Sequence, residues 1–208
     1  MQNSGTAFAQ VRVMFRNRLA RFISAALNAP FIALISFISL IAAQWSTSSF
    51  LLILITSLFA SLLPLASIMI LAKRGAIPDV YASDRRTRFK PFMMAIAFYL
   101  VGLICLLIVR APSNITAFMA SYLVNAFVLL VISLAWKISI HTSGIAGPVT
   151  ALVFNLGARM IPFFLLAVPV AWARMELKAH DYKQVLAGII LASSLTWFQM
   201  TVYVNFLF

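Results

Sequence analysis

The stretch "FLLILITSLFASLLPLASIMILA", residues 50–72, contains no charged residue. As a helix rising ~1.5 Å per residue it would be about 35 Å long, enough to cross the hydrocarbon core of a bilayer. A membrane β-strand would alternate apolar and polar residues over about ten positions. This stretch is apolar in every direction, and inside lipid a lone segment satisfies its own backbone groups only as a helix. It therefore predicts a transmembrane helix, with a kink at Pro64.

Similar stretches recur on both sides of it. The chain has 208 residues, 63% of them hydrophobic, which excludes an ordinary soluble domain. Spans are expected at about 22–45, 50–72, 92–109, 115–136, 138–156, 160–177 and 185–208. The apolar region 142–172 would be about 47 Å long as a single helix, too long for one crossing. It is divided by "NLGARMIP", where Asn155 and Gly157 suit a helix end and Pro162 a helix start. The expected fold is all-α, a polytopic membrane bundle of six to seven transmembrane helices. Residues 1–21 form a basic amphipathic segment ahead of a transmembrane domain over 22–208, and "VRVMFRNRLARF" suits a helix lying on the membrane surface.

The formal net charge is +12, from 16 basic and 4 acidic residues. With seven spans, every Lys and Arg except Arg110 and Arg159 falls on one face. That pattern argues for orientation in the bilayer and for anionic lipid partners, not for nucleic acid. The positive-inside rule places that face and the N-terminus in the cytoplasm of a multi-pass cell-membrane protein. The single Cys105 lies within "LICLLIV", so there is neither a disulfide framework nor a cysteine metal site.

Both histidines of the chain, His141 in "KISIHTSG" and His180 in "WARMELKAHDYKQVLAG", fall on the basic face. Many cations and few carboxylates suit an anionic substrate better than a divalent metal, which would need converging carboxylates beyond Asp79 and Asp84. Phosphoryl transfer fits this set. A histidine can attack phosphorus or protonate a leaving alkoxide, and guanidinium groups match the spreading phosphate charge.

These residues resemble the motifs of the type 2 phosphatidic acid phosphatase (PAP2) superfamily: K-x6-R-P, P-S-G-H and S-R-x5-H-x3-D. Arg174 and His180 reproduce R-x5-H, and "QVLAG" stands where that family usually has D-V-L-A-G. "ISIH" keeps Ser139 and His141 of the second motif. Lys90 and Pro91 stand for R-P of the first, and its lysine falls on Ser83. The resemblance implies a PAP2-like core and a metal-free, cofactor-free phosphatase acting on a lipid phosphate or diphosphate, polyprenyl ones included. It implies His180 as the nucleophile, His141 as the general acid, and Arg174, Lys90 and Ser139 as phosphate ligands, with Arg85 or Arg88 assisting. The family's orienting aspartate is Gln184 here. An amide can hold the histidine tautomer but supplies no charge, so a weakened or inactive lipid-phosphate-binding relative is the alternative. A UbiA-type prenyltransferase, which "DVYASDRR" faintly resembles, lacks its carboxylate pairs here.

Overall fold

A computed structural model describes residues 3–78 and 85–208, apart from the side chains of residues 3–9 and of Arg85. Asp79 and Asp84 lie outside the described residues, as does the Arg85 side chain. Among the described residues the chain is a helical bundle without a strand. This is the all-helical membrane architecture that the apolar stretches require. The helices are α1 (Asn3–Ala26), α2 (Ala29–Ala42), α3 (Ser49–Ser57), α4 (Leu63–Lys73), α5 (Phe89–Ile108), α6 (Ser113–Ala135), α7 (Ile140–Leu156), α8 (Ala167–Glu176) and α9 (Tyr182–Val202).

Among the described residues five helical stretches are long and apolar enough to cross a bilayer: Ser49–Lys73, Phe89–Ile108, Ser113–Ala135, Ala158–Glu176 and Tyr182–Leu207. Gln10–Ala26 with Ala29–Ala42, bent by 41°, makes a sixth if the pair is one span. At 17 residues, α7 is only about 25 Å long, shorter than a ~30 Å hydrocarbon core, and it is the most enclosed part of the bundle.

The helix breaks have local causes. Within the expected first span, α1 runs on to Ala26 and stops at Asn28, whose side chain caps Phe31 N–H while Pro30 sits in the first turn of α2. Between α3 and α4 a π-helical turn, Leu58–Leu62, precedes Pro64. A proline ring in a regular helix would meet the carbonyl four residues back, and the wider turn absorbs that clash. Gly157 ends α7 at φ +86°, a conformation an L side chain resists. The chain resumes at once as a 3-10 helix, Ala158–Leu166, so Pro162 lies inside a helical segment and does not begin one.

The most intimate helix pair is α7 with α9. Thr142 Oγ1 donates to Val185 O (3.1 Å) and Ser143 Oγ to Gly188 O (3.0 Å). Gly188 permits this approach, since a Cβ there would lie 2.7 Å from Ser139 O. Gly144 likewise lets α7 touch α2, where a Cβ would meet that of Ala29 at 2.5 Å. These hydroxyl-to-backbone bonds suit lipid, where water does not compete for them.

Contacts define the two ends of the bundle. At one end Gln44 bonds Asn114 and Ser113 bonds the Phe208 carbonyl. At the other, the start of α5, the start of α7 and the α8–α9 turn converge. Both histidine junctions therefore lie at the same end, as the division of 142–172 into two segments requires.

Candidate functional site

The α8–α9 turn sets the R-x5-H spacing. Arg174 lies in the last turn of α8, and Lys178 takes a left-handed backbone conformation (φ 52°) just beyond it. The chain doubles back so that Ala179 N–H and His180 N–H both donate to Arg174 O, at 3.0 and 3.3 Å. Arg174 and His180 are thus adjacent in space although six positions apart. Asp181 then caps α9 by accepting from Gln184 N–H (2.9 Å). The same Gln184 presents Oε1 to His180 Nδ1 at 2.9 Å.

A second acceptor fixes the imidazole. The Lys137 carbonyl stands 3.1 Å from His180 Nδ1. A carbonyl only accepts, so Nδ1 carries the proton and Nε2 carries the lone pair. Arg88 Nη2 faces that Nε2 at 3.4 Å. Burial pushes the His180 pKa down to about 4; the Gln184 bond opposes that, and the charges of Arg88, Arg174 and Lys137 reinforce it. At neutral pH this histidine is an uncharged base with its reactive nitrogen turned toward a guanidinium.

Arg88 is 1% exposed and stands at the N-cap of α5. Its Nη1 donates to Ile138 O (2.9 Å) and, at 3.4 Å, to Ser133 Oγ. Arg174 is also 1% exposed. His141, at the second position of α7, is half-buried, lines the central cavity, and lies in the electrostatic field of Arg174, His180 and Arg88. The N-termini of α7 and α9 both begin here, and their partial positive charge adds to that of the arginines. The arrangement suits a phosphate: two enclosed guanidiniums, one neutral nucleophilic nitrogen and a second histidine that can move a proton.

Other expected ligands are placed differently. Lys90 is exposed on the first turn of α5 and outside the cavity wall, while Arg88, two residues earlier, is buried and lines it. Ser139 is fully buried as the N-cap of α7, its Oγ turned to Thr142 N–H (3.5 Å). Its role in this geometry is to set the start of the helix that carries His141. Glu176 pairs with Arg16 of α1 and so ties α1 to α8. Sequence reasoning missed the Lys137 carbonyl, a backbone group that no residue pattern reveals.

A cavity of about 360 Å³ adjoins the site through Arg88 and His141, while Arg174 and His180 stand behind these two and outside its lining; its size is within the range of single-ligand pockets. Arg88 and His141 stand in its wall, and the remainder is mostly apolar, including Pro64, Leu65, Ile68, Phe92 and Phe118. No protein-family model, no curated protein and no solved structure matches the chain.

Proposed function

We propose that this is an integral-membrane phosphatase of PAP2 type that hydrolyses a lipid phosphate or diphosphate through a phosphohistidine. The observation that carries the reading is His180. Its Nδ1 is held by Gln184 and Lys137, and its Nε2 faces Arg88 beside the buried Arg174, next to an apolar cavity. Phosphate binds between the arginines and the hydrocarbon chain occupies the cavity. His180 Nε2 attacks phosphorus, the phosphorus–oxygen bond to the lipid breaks, and His141, which takes up a proton with the phosphate dianion whose charge offsets burial and the arginines, donates it to the departing alkoxide. Water then attacks the phosphohistidine, gives its proton to His141, and releases phosphate and free His180. Arg88 and Arg174 compensate the charge on the equatorial oxygens throughout.

The test is phosphate release from a panel of lipid phosphates and diphosphates by purified protein in EDTA, with His180→Ala and His141→Ala alongside. Release by wild type and its loss in both variants is expected; equal release by all three would overturn the assignment. A second reading, a lipid-phosphate-binding protein without catalysis, draws on the neutral Gln184 behind the imidazole. Tight binding without release by wild type would favour it.

A further inference from the structure

The cavity wall is not apolar throughout. Asn125 and Tyr122 of α6 and Thr196 of α9 form part of it. Asn125 lies near the middle of a 23-residue helix, at the depth where uncompensated polar groups are most costly. Its Nδ2 donates to Thr196 Oγ1 at 2.8 Å. This pair stands against Gly147, where a Cβ would lie 3.3 Å from Thr196 Oγ1 and 3.5 Å from Asn125 Nδ2. Gly147 is six residues beyond His141, about 9 Å along the helix.

The hydrogen bonding here is incomplete. Asn125 Oδ1 and the Tyr122 hydroxyl are both buried without a hydrogen-bond partner. The Thr196 hydroxyl accepts from Asn125, which leaves its own proton to give. Helix-to-helix adhesion accounts for the Asn125–Thr196 bond and for nothing more. The unanswered atoms comprise an acceptor on Asn125, a donor and acceptor on Tyr122, and a donor on Thr196. A carbonyl would satisfy only the donors. A hydroxyl both gives and accepts, so it answers Asn125 whichever way its amide is turned, and Tyr122 as well.

We infer that Asn125, Tyr122 and Thr196 form a second subsite, which binds a hydroxyl on the substrate's hydrocarbon chain about two helical turns from the phosphate. The inference rests on the phosphatase reading and narrows its substrate class to hydroxylated lipid phosphates. Unsubstituted alkyl and polyprenyl chains are then the poorer ligands.

The experiment compares dodecyl phosphate, dodecyl phosphate with a mid-chain hydroxyl, and a monoacylglycerol phosphate whose hydroxyl adjoins the headgroup. Binding to wild type and to His180→Ala is measured in detergent micelles, together with phosphate release by wild type. The mid-chain hydroxyl is expected to tighten binding about tenfold, the value of roughly one buried hydrogen bond. Asn125→Leu and Tyr122→Phe should each remove most of that gain, read within each variant as the ratio of its affinities for hydroxylated and unsubstituted dodecyl phosphate. Equal binding of the three lipids by wild type would overturn the subsite and leave ordered water as the partner of these atoms. A gain confined to the monoacylglycerol phosphate, or one that survives both substitutions, would overturn it too. Discrimination in binding without phosphate release would sustain the subsite while rejecting the phosphatase reading.

Discussion

Where α7 meets α9, two hydroxyls and the Ser139 amide bond directly to the backbone of the opposing helix, and Gly188 lets the helices close to contact. Across the cavity the wall is different. Leu65, Ile68, Pro91, Phe92 and Ala95 offer apolar surface, and the nearby α1–α2 break and the π turn before Pro64 interrupt helical regularity. Directional bonds hold the first wall in one register, and that wall carries His141 and leads into His180. Dispersion holds the second, where the proposed hydrocarbon chain would lie. The contrast teaches that one bundle can hold a side chain by directional bonds beside a cavity whose far wall is held by dispersion alone.

The sharpest way to break the comparison is at His180, the proposed nucleophile. His180→Ala should lower phosphate release by about a thousandfold or more while the protein remains folded, measured as initial rates beside a thermal unfolding curve. Next is the residue behind the imidazole. Gln184→Glu keeps the length of the side chain and adds a charge, so it should raise the rate about tenfold, whereas Gln184→Leu should lower it by at least that factor. A fall in rate on Gln184→Glu would show that the neutral amide is the better partner here.

The packing contrast is tested by Gly188→Ala against Leu65→Ala. The added methyl meets the Ser139 carbonyl, a backbone group that cannot step aside, and should cost about 1–3 kcal/mol of stability. Leu65→Ala, which enlarges an existing space, should cost less and should shift chain-length preference instead. Equal losses would erase the distinction between the walls.

Acid should act on the rigid wall. The unfolded His180 takes up a proton near 6.5, and the folded one only near 4. Between those values the unfolded state binds more protons, so stability is fully present above about 6.5 and falls as pH drops toward about 4. Unfolding curves across that window should show the decline, and His180→Gln should flatten it. The smallest effect is expected at the rim: Arg16→Ala breaks an exposed pair with Glu176 and should cost no more than about 1 kcal/mol, with phosphate release unchanged.

Much of this architecture was legible in the residues. An uncharged run at 50–72 became Ser49–Lys73, because in lipid no other fold satisfies such a backbone. Gly157 marked a real helix end because its positive φ is a local requirement. The break at Asn28 was hidden, since a cap is recognised only when the residues before it are known to stop being helical. Motif alignment favoured Lys90 and the structure buries Arg88, a choice made by where α5 begins. Neither the Lys137 carbonyl nor the Arg16–Glu176 pair has a sequence signature, because both depend on segments brought together from far apart. The polar atoms of Asn125 and Thr196 were visible as residue types, but their meeting beside Gly147 required the helices to be assembled.

The cap of α9 has one more consequence. Asp181 holds the backbone of Gln184, and the side chain of Gln184 holds His180, so the first turn of the helix and the alignment of the histidine are a single hydrogen-bonded unit. Without the first turn of α9 the imidazole lacks the Gln184 acceptor, and Gln184 lacks its Asp181 cap. His180 gains its Gln184 partner only when the following helix winds, beside the Lys137 carbonyl that the α6–α7 junction supplies. On the proposed phosphatase reading, reactivity toward phosphate would be coupled to the seating of α9 against α7.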